Sequence, residues 1–158
     1  MAEPENIPET LAALALHLRE QCYRDSSFHI GPGWERCDDA HALIQSEAGF
    51  EVFYIERGQR CGTEFIEKDE AAACRRFFNL LKDGVWTRAH CVVFTPDAAE
   101  AEAAQRLLAA EGIETLRNDM PAYCRANDPR HRVFVLGRDV LCVQQMVEQG
   151  RMRAVRFE

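Results

Sequence analysis

Nowhere does the chain run apolar for the roughly 20 residues that a membrane-spanning helix needs. Its first residues, Met1-Ala2-Glu3-Pro4-Glu5, lack the basic and apolar stretches of a secretory signal. The expectation is a cytoplasmic protein with no membrane partner. No glycine-rich GxGxxG or Walker pattern precedes a helix, so neither Gly31-Pro32-Gly33 nor the Gly58–Gly62 turn reads as a phosphate cradle. Cys-x-x-Cys is absent as well, and no Cys/His pair has zinc-finger spacing; Cys37 and His41 are four apart, and His90 adjoins Cys91, which on a strand would point the other way. No metal and no cofactor are therefore expected.

Cysteine itself is not scarce. The chain has seven, an odd number for 158 residues, and most lie inside apolar patterns such as His90-Cys91-Val92-Val93-Phe94. With 47% apolar residues a core can form without disulfide staples, so these read as reduced, mostly buried thiols. Cys61, in the Gly58–Gly62 turn, is the most exposed candidate nucleophile, but no neighbouring base is apparent in sequence. Carboxylate pairs such as Glu51 and Glu64 on neighbouring strands read as solvated strand residues, and no enzyme activity is expected.

Charge is uneven. The net value is −7, and residues 1–90 carry 16 acids against 10 bases, whereas residues 91–158 carry 10 against 9. Such a field repels nucleic acid and anionic membrane and attracts a basic partner. The arginines Arg125, Arg130, Arg132 and Arg138 are offset by surrounding acids, and Phe134 sits in an apolar run, so base stacking on an exposed sheet is not expected.

The pattern of elements predicts an α+β fold. Residues 8–24 show helical spacing at Leu11, Leu14, Ala15, Leu18 and Cys22, with Pro8 suited to the first turn. A loop at residues 25–39 precedes three short strands at 41–47, 51–57 and 63–67, an antiparallel meander. Asp69 then caps a helix with an apolar stripe of Ala73, Cys74, Phe77, Phe78 and Leu81, ending near Gly84. This front half reads αβββα. Residues 90–158 read βαββαβ, a ferredoxin-like order: strands at 90–94, 113–117, 132–136 and 153–157, and helices after Thr95-Pro96-Asp97 and from 139 to 149. One domain over residues 1–158 is expected, with a possible subdivision into 1–86 and 87–158.

The meander carries Glu47, Glu51, Glu56, Glu64 and Glu67, and the preceding loop carries Glu35, Asp38 and Asp39. An antiparallel sheet backed by helices leaves one face to solvent, so an acidic platform is expected there, with Trp34 and Tyr54 as aromatic anchors. The candidate partner-binding residues are Trp34, Glu35, Asp38, Asp39, Glu47, Tyr54, Glu56 and Glu64.

The stretch Glu51-Val52-Phe53-Tyr54-Ile55-Glu56-Arg57-Gly58-Gln59-Arg60, then Phe65 and the helix with Ala73-Cys74-Arg75-Arg76-Phe77, resembles the immunity proteins of bacterial polymorphic-toxin and contact-dependent growth inhibition systems. The resemblance covers about 30 residues. It implies a partner, the carboxy-terminal toxin domain of a large secreted protein, often a basic nuclease, which the chain would neutralise by stoichiometric occlusion. The carboxy-terminal half resembles small regulatory βαββαβ domains instead, and the alternative expectation is an adaptor whose second half binds a small ligand or dimerises.

Overall fold

In the computed structural model, which describes residues 6–153, the fold is α+β and divides into two units, Met1–Thr87 and Arg88–Glu158. The first unit opens with helix α1 (Leu11–Glu20). Its start lies later than Pro8 because Thr10 provides the cap, its hydroxyl accepting the Ala13 N–H at 3.3 Å. A carboxylate from another helix adds to it: Glu70 Oε1 accepts the Leu11 N–H at 2.8 Å. The chain leaves α1 through Cys22, at φ 56°.

The expected loop at 25–39 is only partly a loop. It contains a short strand, β1 (Phe28–Ile30), followed by β2 (Ala40–Ser46), β3 (Gly49–Glu56) and β4 (Gln59–Glu67). The order is β1-β2-β3-β4. The last three form the antiparallel meander, but β1 pairs parallel to β2, so the sheet is mixed. A parallel neighbour cannot be reached by a hairpin. The chain must return along one face of the sheet, and residues 31–39 are that crossover.

Helix α2 (Glu70–Asp83) is capped by Asp69, which accepts the Ala72 N–H at 2.8 Å. Ala73, Cys74, Phe77, Phe78 and Leu81 are all buried, matching the expected stripe. They pack with Leu14 and Leu18 of α1 against Phe28, Leu43 and Val52, the inner face of the sheet. The outer face is also covered. Ala42, Phe53 and Ile55 are completely buried there beneath Trp34, Cys37 and Ile44. The crossover explains this: its 3₁₀ turn at Trp34–Arg36 lays the indole edge-on against Phe53, with ring centroids 5.0 Å apart.

The second unit runs β5 (Ala89–Thr95), α3 (Ala98–Ala110), β6 (Leu116–Arg117), β7 (His131–Leu136) and α4 (Asp139–Glu148). Its sheet order is β5-β7-β6, both pairings antiparallel. The order of elements is βαββα as expected. The last expected strand, at 153–157, falls outside the described residues except for Arg153. The helix start is shifted from Thr95-Pro96: Asp97 is the cap and accepts the Ala99 N–H at 2.9 Å, while Thr95 is buried at the end of β5 and accepts the Asp97 N–H at 3.1 Å. Phe134 is buried with Ala89 and Cys91, in line with its apolar setting.

The long connection between β6 and β7 is tied by one carboxylate. Asp119 accepts from Arg117 through Nε at 3.0 Å and Nη2 at 2.6 Å, and from the Arg132 N–H at 3.1 Å, with His131 Nδ1 at 2.9 Å. Arg117 chiefly, with His131 and the Arg132 amide, holds the Asp119 carboxyl well below the usual carboxylate range, against some desolvation.

Two predictions test this account. Asp119 is half-exposed, so Asp119→Asn is expected to lower stability at pH 7 by about 1 kcal/mol, read by thermal or urea unfolding. Because the folded carboxyl is the more acidic, its contribution is present above the ordinary Asp value of about 4 and fades as pH falls below it; the two proteins should converge in acid. At the β2–β3 turn, Gly49 has φ 128° and a Cβ placed there would lie 2.4 Å from the Glu67 carbonyl oxygen. Gly49→Ala is expected to cost about 1–3 kcal/mol, with unfolding monitored by circular dichroism.

Candidate functional site

The crossover ends in Asp38-Asp39, whose carboxylates are tied to the β3–β4 turn and to strand β3. Asp38 accepts the backbone N–H of Arg57. Arg57 and Gly58, at φ 52° and 71°, are the two turn residues of the β3–β4 hairpin, and positive φ at both is what a two-residue I′ turn requires. Gly58 also lies close under the crossover, since a Cβ on it would sit 2.9 Å from the Glu35 carbonyl. Asp39 adopts φ 54°, a conformation Asp tolerates better than most residues. Its carboxylate accepts the Tyr54 O–H at 2.5 Å.

Counting back from the β2–β3 turn, His41 stands opposite Tyr54. Their rings meet edge to face at 5.1 Å. The His41 Nε2 lies 3.7 Å from Glu64 Oε1 on β4. These groups continue the inner face of the sheet past the end of the hydrophobic core. Arg24, Ser26 and Ser27, which follow α1, and Trp86 and Thr87, which follow α2, close the other side, leaving a cavity of about 370 Å³. The Arg24 N–H donates to the Thr87 carbonyl at 2.7 Å, which joins the two segments. Trp86 is 45% exposed at this cavity.

Local electrostatics follow from these contacts. The bond to Asp39 is the main cause that pushes the Tyr54 hydroxyl up to about 12, with burial and the charges of Asp39, Glu56 and Asp38 adding to it. Burial lowers the His41 pKa, and the attraction of Glu64 opposes this in part. The cavity thus presents the carboxylates of Asp38 and Asp39, a neutral phenol and an exposed indole, with Arg24 on the facing wall, and its acceptor side is suited to a cationic hydrogen-bond donor.

Of the residues expected at a binding surface, Asp38, Asp39 and Tyr54 line this cavity, Glu64 contacts its His41, and Glu56 is near enough to act on Tyr54. Glu35 is exposed on the crossover. Trp34 is elsewhere, on the opposite face of the sheet against Phe53. Glu47 lies in the β2–β3 turn rather than on a strand. A single flat acidic platform is not formed, because the outer face that would have carried it is covered by the crossover. Glu51, on that face, is buried and bonded to Ser46 and to Arg60 Nη2 at 2.5 Å; the Ser46 bond first and Arg60 next hold its carboxyl below the usual range. Glu51 and Glu64 therefore serve different partners and form no acid/base pair.

His41 and Trp86 were not anticipated. The register of the β2–β3 hairpin, with its turn at Glu47–Ala48, does carry the His41–Tyr54 pairing. Trp86 has no local signal, since its place depends on how the chain after α2 meets the segment after α1. Among the described residues no cluster of three or more His, Cys, Asp or Glu is arranged to hold a metal ion, and no helix is long and apolar enough to cross a membrane. Comparison of the chain with protein-family models, with curated proteins and with solved structures gives no match.

Tyr54→Phe is expected to cost about 1 kcal/mol at pH 7, because Asp39 loses its donor. The folded hydroxyl titrates above its ordinary value, so this contribution is complete below about pH 10 and is lost as pH rises through about 12. Absorbance at 295 nm should show a tyrosine phase near pH 12 in the wild type that is missing in the variant.

Proposed function

We propose that the chain is an immunity-type protein of the cytoplasm: it binds the carboxy-terminal toxin domain of a large secreted protein, a basic nuclease, and neutralises it by one-to-one occlusion without turnover. The observation that carries this reading is the cavity at the end of β2 and β3, where Asp38, Asp39, Tyr54, His41 and Trp86 converge. A basic side chain entering it meets two preorganised carboxylates and the exposed Trp86, and carboxylates held in place lose little freedom on binding. Glu35, Glu56 and Glu64 would add negative potential around it and speed encounter. The acidic excess of the front half and the resemblance in residues 51–77 agree with this partner.

The test begins with capture of the tagged chain's partner from its native cells at low salt, followed by expression of the captured domain alone and together with this chain. Expected are growth arrest by the domain alone, relief by the wild-type chain, and an affinity that falls with salt. Asp38→Asn with Asp39→Asn, and separately Trp86→Ala, should each weaken association at least about tenfold, or 1.4 kcal/mol. Unimpaired growth of cells expressing the domain alone would sink the immunity reading; undiminished affinity in both variants would move the interface away from the cavity.

A further inference from the structure

The crossover brings together two side chains that the binding cavity does not use. His29 lies on β1 and Cys37 lies just after the 3₁₀ turn, and Cys37 Sγ is 3.5 Å from His29 Nδ1. The other ring nitrogen, Nε2, is 2.9 Å from the Pro32 carbonyl oxygen. A carbonyl can only accept, so Nε2 carries the hydrogen, and in the neutral ring Nδ1 is then the acceptor facing the thiol. Nucleophile, base and the carbonyl that orients the base are thus in the arrangement that activates a thiol.

Three other cysteines have different surroundings. Cys61, the most exposed candidate in sequence, donates to the Glu56 carboxylate at 3.8 Å and to the Gln59 carbonyl at 3.7 Å, neither of which is an imidazole. Cys74 is buried, and desolvation pushes its thiol up to about 11. Cys91 is buried and directed at the Val93 carbonyl at 3.3 Å. Cys37, by contrast, is only partly buried.

We infer that Cys37 and His29 form a thiol–imidazole dyad and that Cys37 is the site at which hydroperoxides modify this protein. His29 Nδ1 takes the thiol proton as the sulfur attacks the terminal peroxide oxygen. An S–O bond forms and the O–O bond breaks; the sulfur loses two electrons and the peroxide gains them. The proton passes from the imidazole to the departing oxygen, giving water from hydrogen peroxide and a sulfenic acid on Cys37. The added oxygen then sits one residue before Asp38, within the crossover that covers Phe53.

The test treats the intact, reduced chain with substoichiometric hydrogen peroxide in the presence of dimedone and locates the label by peptide mass spectrometry. Cys37 is expected to carry most of it, ahead of the three more exposed thiols, Cys61, Cys124 and Cys142. His29→Gln is expected to lower labelling at Cys37 about tenfold or more, with labelling elsewhere unchanged. A wild-type label distributed by exposure over those three thiols overturns the inference, as does a folded His29→Gln protein labelled at Cys37 like the wild type. Should His29→Gln lower the melting temperature, the wild-type distribution decides alone.

Discussion

Strand β3 is buried on both of its faces, and the arrangement of the first unit depends on this constraint. Phe50 and Val52 turn toward α1 and α2, while Phe53 and Ile55 turn away from them into a second cluster. Burying a side chain such as Phe53 stabilises by about 2–3 kcal/mol, but only where something covers it. Helices already occupy one side. The parallel pairing of β1 with β2 supplies the other, because the connection must cross the outer face to return, and it brings Trp34 and Cys37 down on Phe53. Arg60 completes the cover: its guanidinium lies 4.2 Å from the Phe53 ring centroid while bonding Glu51 and Thr63.

Once the crossover is laid over the sheet, its end has to meet the end of β3. That junction fixes the binding cavity. Asp38 satisfies the amide at the β3–β4 turn and Asp39 satisfies the Tyr54 hydroxyl, so the same carboxylates that close the fold also line the open space beside it. A carboxylate has more acceptor positions than either bond consumes. The structural role therefore leaves the charge and part of the hydrogen-bonding capacity directed outward, and it holds both groups still.

How much of this could be read in sequence varies with how local the signal is. Helix α2 was legible from Asp69 and five apolar residues at helical spacing, and so were β3 and β5, because periodicity over several residues is a local property. Strand β1 was not: Phe28–Ile30 lies between Ser26-Ser27 and Gly31-Pro32-Gly33, which punctuate the chain, and three residues are too few to show alternation. Missing β1 removed the crossover, and with it the cover on Phe53. An antiparallel meander on its own suggests one solvated face, which is what was expected of β3, although Val52-Phe53-Tyr54-Ile55 is apolar at successive positions. Of the site, the acids and Tyr54 were visible as residue types. Their distribution over two faces followed from strand phase, and His41 and Trp86 followed from pairings across the sheet and between segments.

Net charge adds a further distinction. Many acids of this chain are engaged internally: Glu51 with Arg60, Glu67 with Arg76, Asp119 with Arg117, and Asp128 with Arg130. Each such pair contributes little to the field a distant partner meets, since the two charges cancel beyond a few ångströms and solvent ions screen the remainder within about 10 Å. Asp38 and Asp39 differ, because the groups that fix them, an amide and a phenol, carry no compensating positive charge. Both residues are exposed, at adjacent positions. The sign of the net charge suggested a basic partner, but it is this choice of neutral donors that leaves two carboxylates at the cavity, whose lining also includes Arg24.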